Sequence, residues 1–361
     1  MFDTVLRTLF PSASTEQEND RFNYLERNRD KTSRLVGTTD NTGSNNVMGS
    51  LAQAEGSVAA GPTQRVNPLF YSFLFGEEAN TEADQELTLY VSERVKKVMA
   101  KPKLLLDALP VMPESVSKVI DVLQDADFDI NELLSLIERE PGMAGDLIKL
   151  ANSARYFRGV KPVSDIRVAF TFMGSQGLMD GVLQVFLKQF SVSSPRYFKQ
   201  YGNHIWQHSF QTALYSQRIA AETCEQGSKG VAYFVGLIRN LGYMVLFQLV
   251  TESFKFVRPE AKPCSETLMK LLNQNSLSIT LSVAKHWQLP ELVQAALAQQ
   301  GSHLEQTNEI ALCVQQADLI SQYVCLFQAN LIDKETYKKE LLSQLALPVT
   351  RKIADEVLDE K

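Results

Sequence analysis

His204-Ile205-Trp206-Gln207-His208 puts two imidazoles one helical turn apart, the spacing by which a helix offers two ligands to a zinc ion. Zinc chemistry of that kind also needs a glutamate base beside the first histidine and a third ligand; Ile205 stands in the base position and no third ligand is apparent. His208 therefore reads as a core histidine satisfied by a carboxylate or a carbonyl. His286 and His303 are single histidines near expected helix ends and read as surface or capping residues. Arg155, Tyr156, Phe157, Arg158 and Lys161 mix basic and aromatic side chains, a composition suited to stacking on bases or pairing with phosphates. Five residues do not make a groove, so a solvated loop is the plainer reading and contact with a protein the next. Gly174-Ser175-Gln176-Gly177 opens a helix, where backbone N–H groups can bind an anion, but a helix-turn junction explains it as well. The chain has no phosphate-cradling glycine loop after a strand and no GxSxG nucleophile elbow.

The four cysteines, Cys224, Cys264, Cys313 and Cys325, are far apart in sequence and form no CxxC pair. That pattern indicates neither a disulfide framework nor a zinc finger, and suits buried thiols in a reducing compartment. A net charge of -6 argues against the broad basic footprint that draws DNA or RNA, so no nucleic-acid partner is expected. Met1-Phe2-Asp3 lacks the basic opening of a signal peptide, and no uncharged apolar run of about 18 residues is present. No transmembrane segment is expected, and the cytoplasm is the expected location.

These side chains need a scaffold, and the apolar pattern says which. From Pro102 onward apolar residues recur at three and four spacing, as in Val116 to Leu123, Ile130 to Ile137 and Met143 to Ala151. Proline and glycine punctuate the pattern at Pro110, Pro113, Pro141-Gly142, Pro162, Gly174 and Pro195. Nothing alternates at period two over a useful length, so the fold class is all-α. Asp129, Ser175 and Ser276 are placed to cap helix starts, and residues 207 to 222 and 306 to 329 are long enough to form the centre of a bundle. Four regions are expected: 1–66, 67–101, 102–330 and 331–361. The first is a largely disordered tail, because Pro11 to Val66 is polar and poor in large apolar residues. At its start Phe2, Val5, Leu6, Leu9 and Phe10 fall at helical spacing; a frayed terminus is the plain reading, a small docking helix the sharper one. Leu69-Phe70-Tyr71-Ser72-Phe73-Leu74-Phe75 is too apolar to stay in water and opens a helical strap over 67–101 that packs on the main domain. Helices continue through 331–361.

Several short motifs then occur in a fixed order. Leu109-Pro110-Val111-Met112-Pro113 precedes a helix; Glu140-Pro141-Gly142 and Leu150-Ala151-Asn152-Ser153 follow; Val163-Ser164-Asp165-Ile166, Trp206-Gln207-His208-Ser209, Trp287-Gln288-Leu289-Pro290 and Ala317-Asp318 complete the series. In this order the chain resembles, over about 102–330, the HD-related output domain (HDOD) of bacterial signalling proteins, a degenerate branch of the HD phosphohydrolases. The resemblance implies an all-α bundle of HDOD type. It also implies where a metal would have been held in a hydrolytic relative: a lone histidine at His208, an adjacent His-Asp pair that falls on Arg239-Asn240, and a distant aspartate at Asp318.

Arginine at the pair's first position cannot lose its proton and would repel a cation, and asparagine is a weak neutral ligand. Glutamines at Gln299-Gln300 stand where some metal-bearing relatives carry further histidines. His208, Arg239, Asn240 and Asp318 are therefore expected to be relic metal-site positions, with no metal, no cofactor and no catalytic residue. The expected function is a non-catalytic signalling or scaffold protein that meets a protein partner of a bacterial signalling pathway, with homo-oligomerisation open. Arg155, Tyr156, Arg158 and Arg239 are the candidate ligand or partner contacts. A metal-dependent phosphohydrolase and a nucleotide-binding sensor using the relic pocket are the alternatives.

Overall fold

The computed structural model of the chain describes residues 2–10, 68–76, 84–100, 102–123, 129–191, 198–225, 228–301 and 308–359. Of the expected tail, residues 11–66 lie outside the described residues, as does His303. Apart from one isolated bridge between Asp84 and Pro263, the regular structure among the described residues is helical, and the fold is the all-helical bundle that the HDOD resemblance implies.

The helices, in chain order, are α1 Asp3–Leu9, α2 Pro68–Phe75, α3 Gln85–Met99, α4 Lys103–Leu106, α5 Glu114–Val122, α6 Ile130–Glu138 and α7 Pro141–Ala151. They continue as α8 Ile166–Lys188, α9 Tyr201–Thr223, α10 Ser228–Ile238, α11 Leu241–Val257, α12 Ser265–His286, α13 Glu291–Ala298 and α14 Glu309–Gln328. A helical stretch through Lys334–Thr336, Tyr337–Leu341 and Leu342–Gln344 leads to α15, Pro348–Asp359. Side-chain carboxylates or amides cap five of the starts: Asp84, Asp129, Asp165, Asn308 and Asp333 each accept a first-turn backbone N–H.

Two family motifs have local structural work. Glu140 reaches back to the first turn of α5, where its carboxylate accepts the N–H of Ser115 at 3.0 Å and the Ser115 hydroxyl. Asn152 closes the loop after α7: its amide nitrogen donates to the Ile148 and Val163 carbonyls, and its amide oxygen accepts the Val163 N–H at 2.8 Å. Backbone groups that would otherwise be orphaned are satisfied in both places. Gly174 breaks α8 with φ 67° and ψ 178°, a backbone that favours glycine, so the junction reading of Gly174-Ser175 agrees with the structure.

The bundle centre is α9, packed along α10 on one side and α14 on the other, with α11 against α12 and α7 against α8. α9 and α14 run antiparallel, since Gln207 pairs with Gln328 near one end while Cys224 meets Cys313 at the other. α11 and α12 cross so closely that a Cβ on Gly242 would lie 1.9 Å from the Ser276 carbonyl oxygen. Ser276 is accordingly a buried interior residue of α12, not the cap expected from the sequence; that helix begins eleven residues earlier, at Ser265.

The N-terminus corrects another expectation. α1 is not frayed: Phe2, Val5, Leu6, Leu9 and Phe10 are all buried, and the helix packs on α3 and α11 of its own chain. The Phe10 ring lies 6.1 Å from Tyr90 and 6.3 Å from Phe256. Burying five large side chains, at roughly 1.5 to 3 kcal/mol each, offsets an ordering cost of similar size for this short segment. Two segments, Ser228–Val257 and Glu309–Gln328, are long and apolar enough by length and composition to cross a membrane, although each carries charge that breaks an uncharged run. Each has 89% of its apolar window buried, because α10, α11 and α14 are the middle of the bundle.

Candidate functional site

α9 carries His208, the turn between α10 and α11 carries Arg239 and Asn240, and α14 carries Asp318. The turn is held by Thr280 of α12, whose hydroxyl donates to the Arg239 carbonyl at 3.2 Å and accepts the Gly242 N–H at 2.9 Å. The antiparallel pairing of α9 and α14 sets His208 opposite Asp318, and all four residues meet in one cluster.

Asp318 is fully buried and His208 and Asn240 nearly so, while the Arg239 side chain keeps 15% of its surface exposed. His208 Nε2 lies 3.0 Å from Asp318 Oδ1, and its Nδ1 pairs with the Ser321 hydroxyl at 2.9 Å. Arg239 Nη1 donates to the same Asp318 oxygen and, at 3.1 Å, to Asn240 Oδ1. Arg239 Nε donates to Gln300 Oε1 at 3.1 Å, and Gln300 is held by its own amide donating to the Ala296 carbonyl. Gln322 Nε2 donates to Asp318 Oδ2 at 2.9 Å, and Asn240 Nδ2 to Ser209 Oγ at 3.2 Å. Burial alone would raise the Asp318 pKa, but the Arg239 charge, then His208 and Gln322, outweigh it and hold the carboxyl below the usual aspartate range.

This donor set does not fit a divalent metal. The oxygen that would ligate a cation already accepts from a guanidinium, and a dication beside a permanent positive charge would be repelled. Among the described residues no group of three or more His, Cys, Asp and Glu side chains converges as metal ligands. The cluster is an internal ion pair in which Arg239 supplies the positive charge.

α2 lies directly over it. The Phe70 ring meets His208 edge-on at 4.7 Å, and the Phe73 ring stacks on His204 at 4.1 Å. The Tyr71 hydroxyl donates to Asn273 Oδ1, which also accepts from Tyr243 at 3.0 Å. What remains between α2 and the cluster is a cavity of about 50 Å³, lined by Phe70, Tyr71, Leu74, Arg239, Asn240 and Gln322 among others. Small-molecule sites are typically about 300 to 1,000 Å³. His204 and His208 therefore serve different neighbours and do not share a ligand; burial pushes the His204 pKa down.

Arg155, Tyr156 and Arg158 sit on the loop that Asn152 closes. The Arg155 guanidinium lies 5.3 Å over Tyr156 and 5.4 Å over Phe210, while Arg158 donates to the carbonyls of Ala154, Arg155 and Phe157. Burial raises the Tyr156 pKa. His286 is the last residue of α12. The sequence reading missed Ser321, Gln322 and Phe70. Ser321 and Gln322 flank Asp318 at helical spacing and were within reach of a pattern argument; the seat of Phe70 depends on a contact 138 positions away and left no local trace.

With this geometry in hand, the family pattern described as the HDOD domain matches residues 109–302. The chain belongs to the HDOD domain family. It is 24% identical over 209 residues to an uncharacterized protein of Treponema pallidum (strain Nichols), an alignment covering 56% of this chain and 39% of that protein. The chain thus spans about two fifths of the length of the curated relative it matches. Among solved structures it is similar to a protein of Marinobacter aquaeolei VT8 named provisionally for signal transduction, at TM-score 0.51 and 18% identity over 79% of this chain and 66% of that one. An HDOD domain protein of unknown function from Geobacter sulfurreducens matches at TM-score 0.48 and 16% identity, over 76% of this chain and 94% of that one. The family rests on the HDOD match and the fold likeness on the Marinobacter structure; the chemistry rests on the residues.

Proposed function

We propose that this HDOD protein is a non-catalytic regulatory or scaffold module that acts by contact with a protein partner of a bacterial signalling pathway. The observation that carries the reading is the Arg239–Asp318 ion pair, buried where the HD resemblance would put a metal. A hydrolase of that class depends on a cation to lower the pKa of its attacking water. A guanidinium held by Asp318, Asn240 and Gln300 neutralises the carboxylate without offering an open coordination position. The signal-transduction name given to one structural relative agrees with a signalling context.

The two alternatives meet specific obstacles. A phosphohydrolase lacks the central ligand pair. A nucleotide sensor would need Arg239 to face a ligand, yet the cavity beside it is about 50 Å³ and roofed by α2.

The test is elemental analysis of untagged protein purified without chelator, run beside a phosphodiesterase and phosphatase panel and an Asp318→Ala control. The expected result is substoichiometric metal and no turnover above that of Asp318→Ala. Near-stoichiometric divalent metal that vanishes in the variant would overturn the reading. Affinity capture from the native host, with and without residues 11–66 and keeping the packed α1, then tests the binding role: no reproducible partner in either form would remove it.

A further inference from the structure

The cysteines that look isolated in sequence include a pair in contact. Cys224 Sγ and Cys313 Sγ are 3.6 Å apart although 89 positions separate them. Cys224 follows the last residue of α9 with an extended backbone, φ -111° and ψ 166°, and is partly exposed. Cys313 lies in the second turn of α14 and is buried. Thr223 Oγ1 sits between them, 3.3 Å from Cys313 Sγ and 3.7 Å from Cys224 Sγ, while donating its own proton to the Ile219 carbonyl. The other two thiols stand apart from this pair: Cys325 donates to Gln211, and Cys264 precedes α12.

We propose that Cys224 and Cys313 form a two-electron redox site, at which a hydroperoxide converts the dithiol to an intramolecular disulfide that fastens the end of α9 to the start of α14. The sulfurs must close from 3.6 Å to about 2.05 Å. Cys224 can supply that movement, because it is the capping residue of α9: its N–H still donates to the Ala220 carbonyl, but from its Cα onward the backbone is extended.

The two thiols divide the chemistry by their surroundings. Cys224 is the one that solvent reaches, and burial pushes the Cys313 thiol up to about 12. The Cys224 thiolate attacks the terminal oxygen of the hydroperoxide; an S–O bond forms, the O–O bond breaks, and the alkoxide or hydroxide leaves and takes a proton. Cys224 is then a sulfenic acid. The Cys313 sulfur, losing its proton as it attacks, forms the S–S bond to Cys224 while the S–O bond breaks and hydroxide departs as water. Two thiols and one hydroperoxide give one disulfide, one alcohol or water from the peroxide, and one water.

The consequence for the molecule follows from where the helices go. α9 and α14 are also the helices that present His208 and Asp318, so the link would pin the two walls of the ion-pair cluster at their far end. It would close a long loop in the unfolded chain, the condition under which a disulfide stabilises most in the chain-entropy account.

The full chain, reduced and freed of reductant, is treated with hydrogen peroxide, alkylated with iodoacetamide and mapped by mass spectrometry without reduction. A peptide pair joined through Cys224 and Cys313 and lighter by two hydrogens is expected, formed independently of protein concentration. The Tm should rise by about 5 to 10 °C and return to its starting value with dithiothreitol. Cys224→Ser should abolish both effects while keeping the fold, since its side chain is only partly buried at the edge of the core and serine is nearly isosteric; Cys313→Ala is the matching change on the buried side. Cys264→Ser and Cys325→Ala should leave the link intact. The proposal is overturned if peroxide leaves both thiols open to alkylation, drives Cys224 to the sulfinic acid without a cross-link, or links other cysteines instead.

Discussion

Arg239 and His208 converge on a single oxygen of Asp318, so one buried carboxylate serves both a guanidinium and an imidazole. That sharing makes Asp318 the member the cluster can least lose. Asp318→Ala would leave Arg239 and His208 facing each other in the core without their acceptor. Breaking a buried pair from one side costs about 3 to 5 kcal/mol. Urea unfolding at neutral pH should show a midpoint lowered accordingly; a loss within the error of the surface substitution Lys270→Ala would mean that the pair is structurally idle.

If Arg239 stands in for a metal, the substitution should be reversible by design. Arg239→His together with Asn240→Asp restores an imidazole and a second carboxylate beside His208 and Asp318, four N and O ligands on helices already in place. The double variant should acquire near one equivalent of divalent metal by elemental analysis, while neither single variant does. A folded double variant that stays metal-free would show that Gln300 and the α2 roof have closed the site as well.

The pH dependence follows from the direction of two aspartates. The Asp318 carboxyl titrates below the usual aspartate range in the folded protein, chiefly because the Arg239 charge overcomes the cost of burial. Its stabilising share is complete above the unfolded value of about 4 and is lost as the pH falls through the lower folded value. Asp180 behaves oppositely. Burial pushes its pKa up against hydrogen bonds from Gln217 and Gln176, so its share is present in acid and lost as pH rises through the folded value. Thermal melts from pH 3 to 8 should therefore show Asp318→Asn less stable than the parent at neutrality, with the gap shrinking in acid. Asp180→Asn should match the parent in acid and exceed it at neutrality. Parallel curves for all three proteins would contradict both assignments.

Much of the scaffold was legible because its signals are local. The three and four spacing of apolar residues, the Asp129 cap and the Gly174 break each depend on neighbours within a turn or two, and the structure agrees with them. The motifs carried by the resemblance act over longer spans: Glu140 caps α5 from 25 positions away and Asn152 closes its loop across 11. What was not legible depends on who arrives from far along the chain. Ser276 looked like a cap because serine often is one, and only the fold shows that it lies inside α12, where its backbone meets Gly242 of the crossing helix. The apolar face of α1 was visible, but its seat on α3 and α11 was not. Cys224 and Cys313 were read as unrelated thiols because spacing along the chain says nothing of two helices that pass antiparallel. At the site, the substitution at Arg239-Asn240 was visible through the resemblance, whereas the way Gln300 steadies the guanidinium and Phe70 covers His208 required the fold.

The roof offers a direct way to ask whether the cluster can meet a ligand. Phe70 is buried against His208, and α2 is only eight residues long, so a large share of its attachment rests on Phe70, Leu74 and Phe75. Phe70→Ala should cost about 3 kcal/mol in the local opening of α2, within the range for truncating a buried phenylalanine. That corresponds to roughly a hundredfold faster amide exchange across residues 68–75. The bundle centre, α9 with α14, should keep its protection, because its own contacts are untouched. The opened variant also exposes Arg239 to solvent. Its guanidinium is committed to Asp318, Asn240 and Gln300, so a panel of nucleoside mono-, di- and triphosphates should leave the Tm of Phe70→Ala unchanged. A nucleotide that raised the Tm of the opened variant, and lost that effect in Phe70→Ala combined with Arg239→Met, would instead make α2 the cover of a working anion site and favour the sensor over the scaffold.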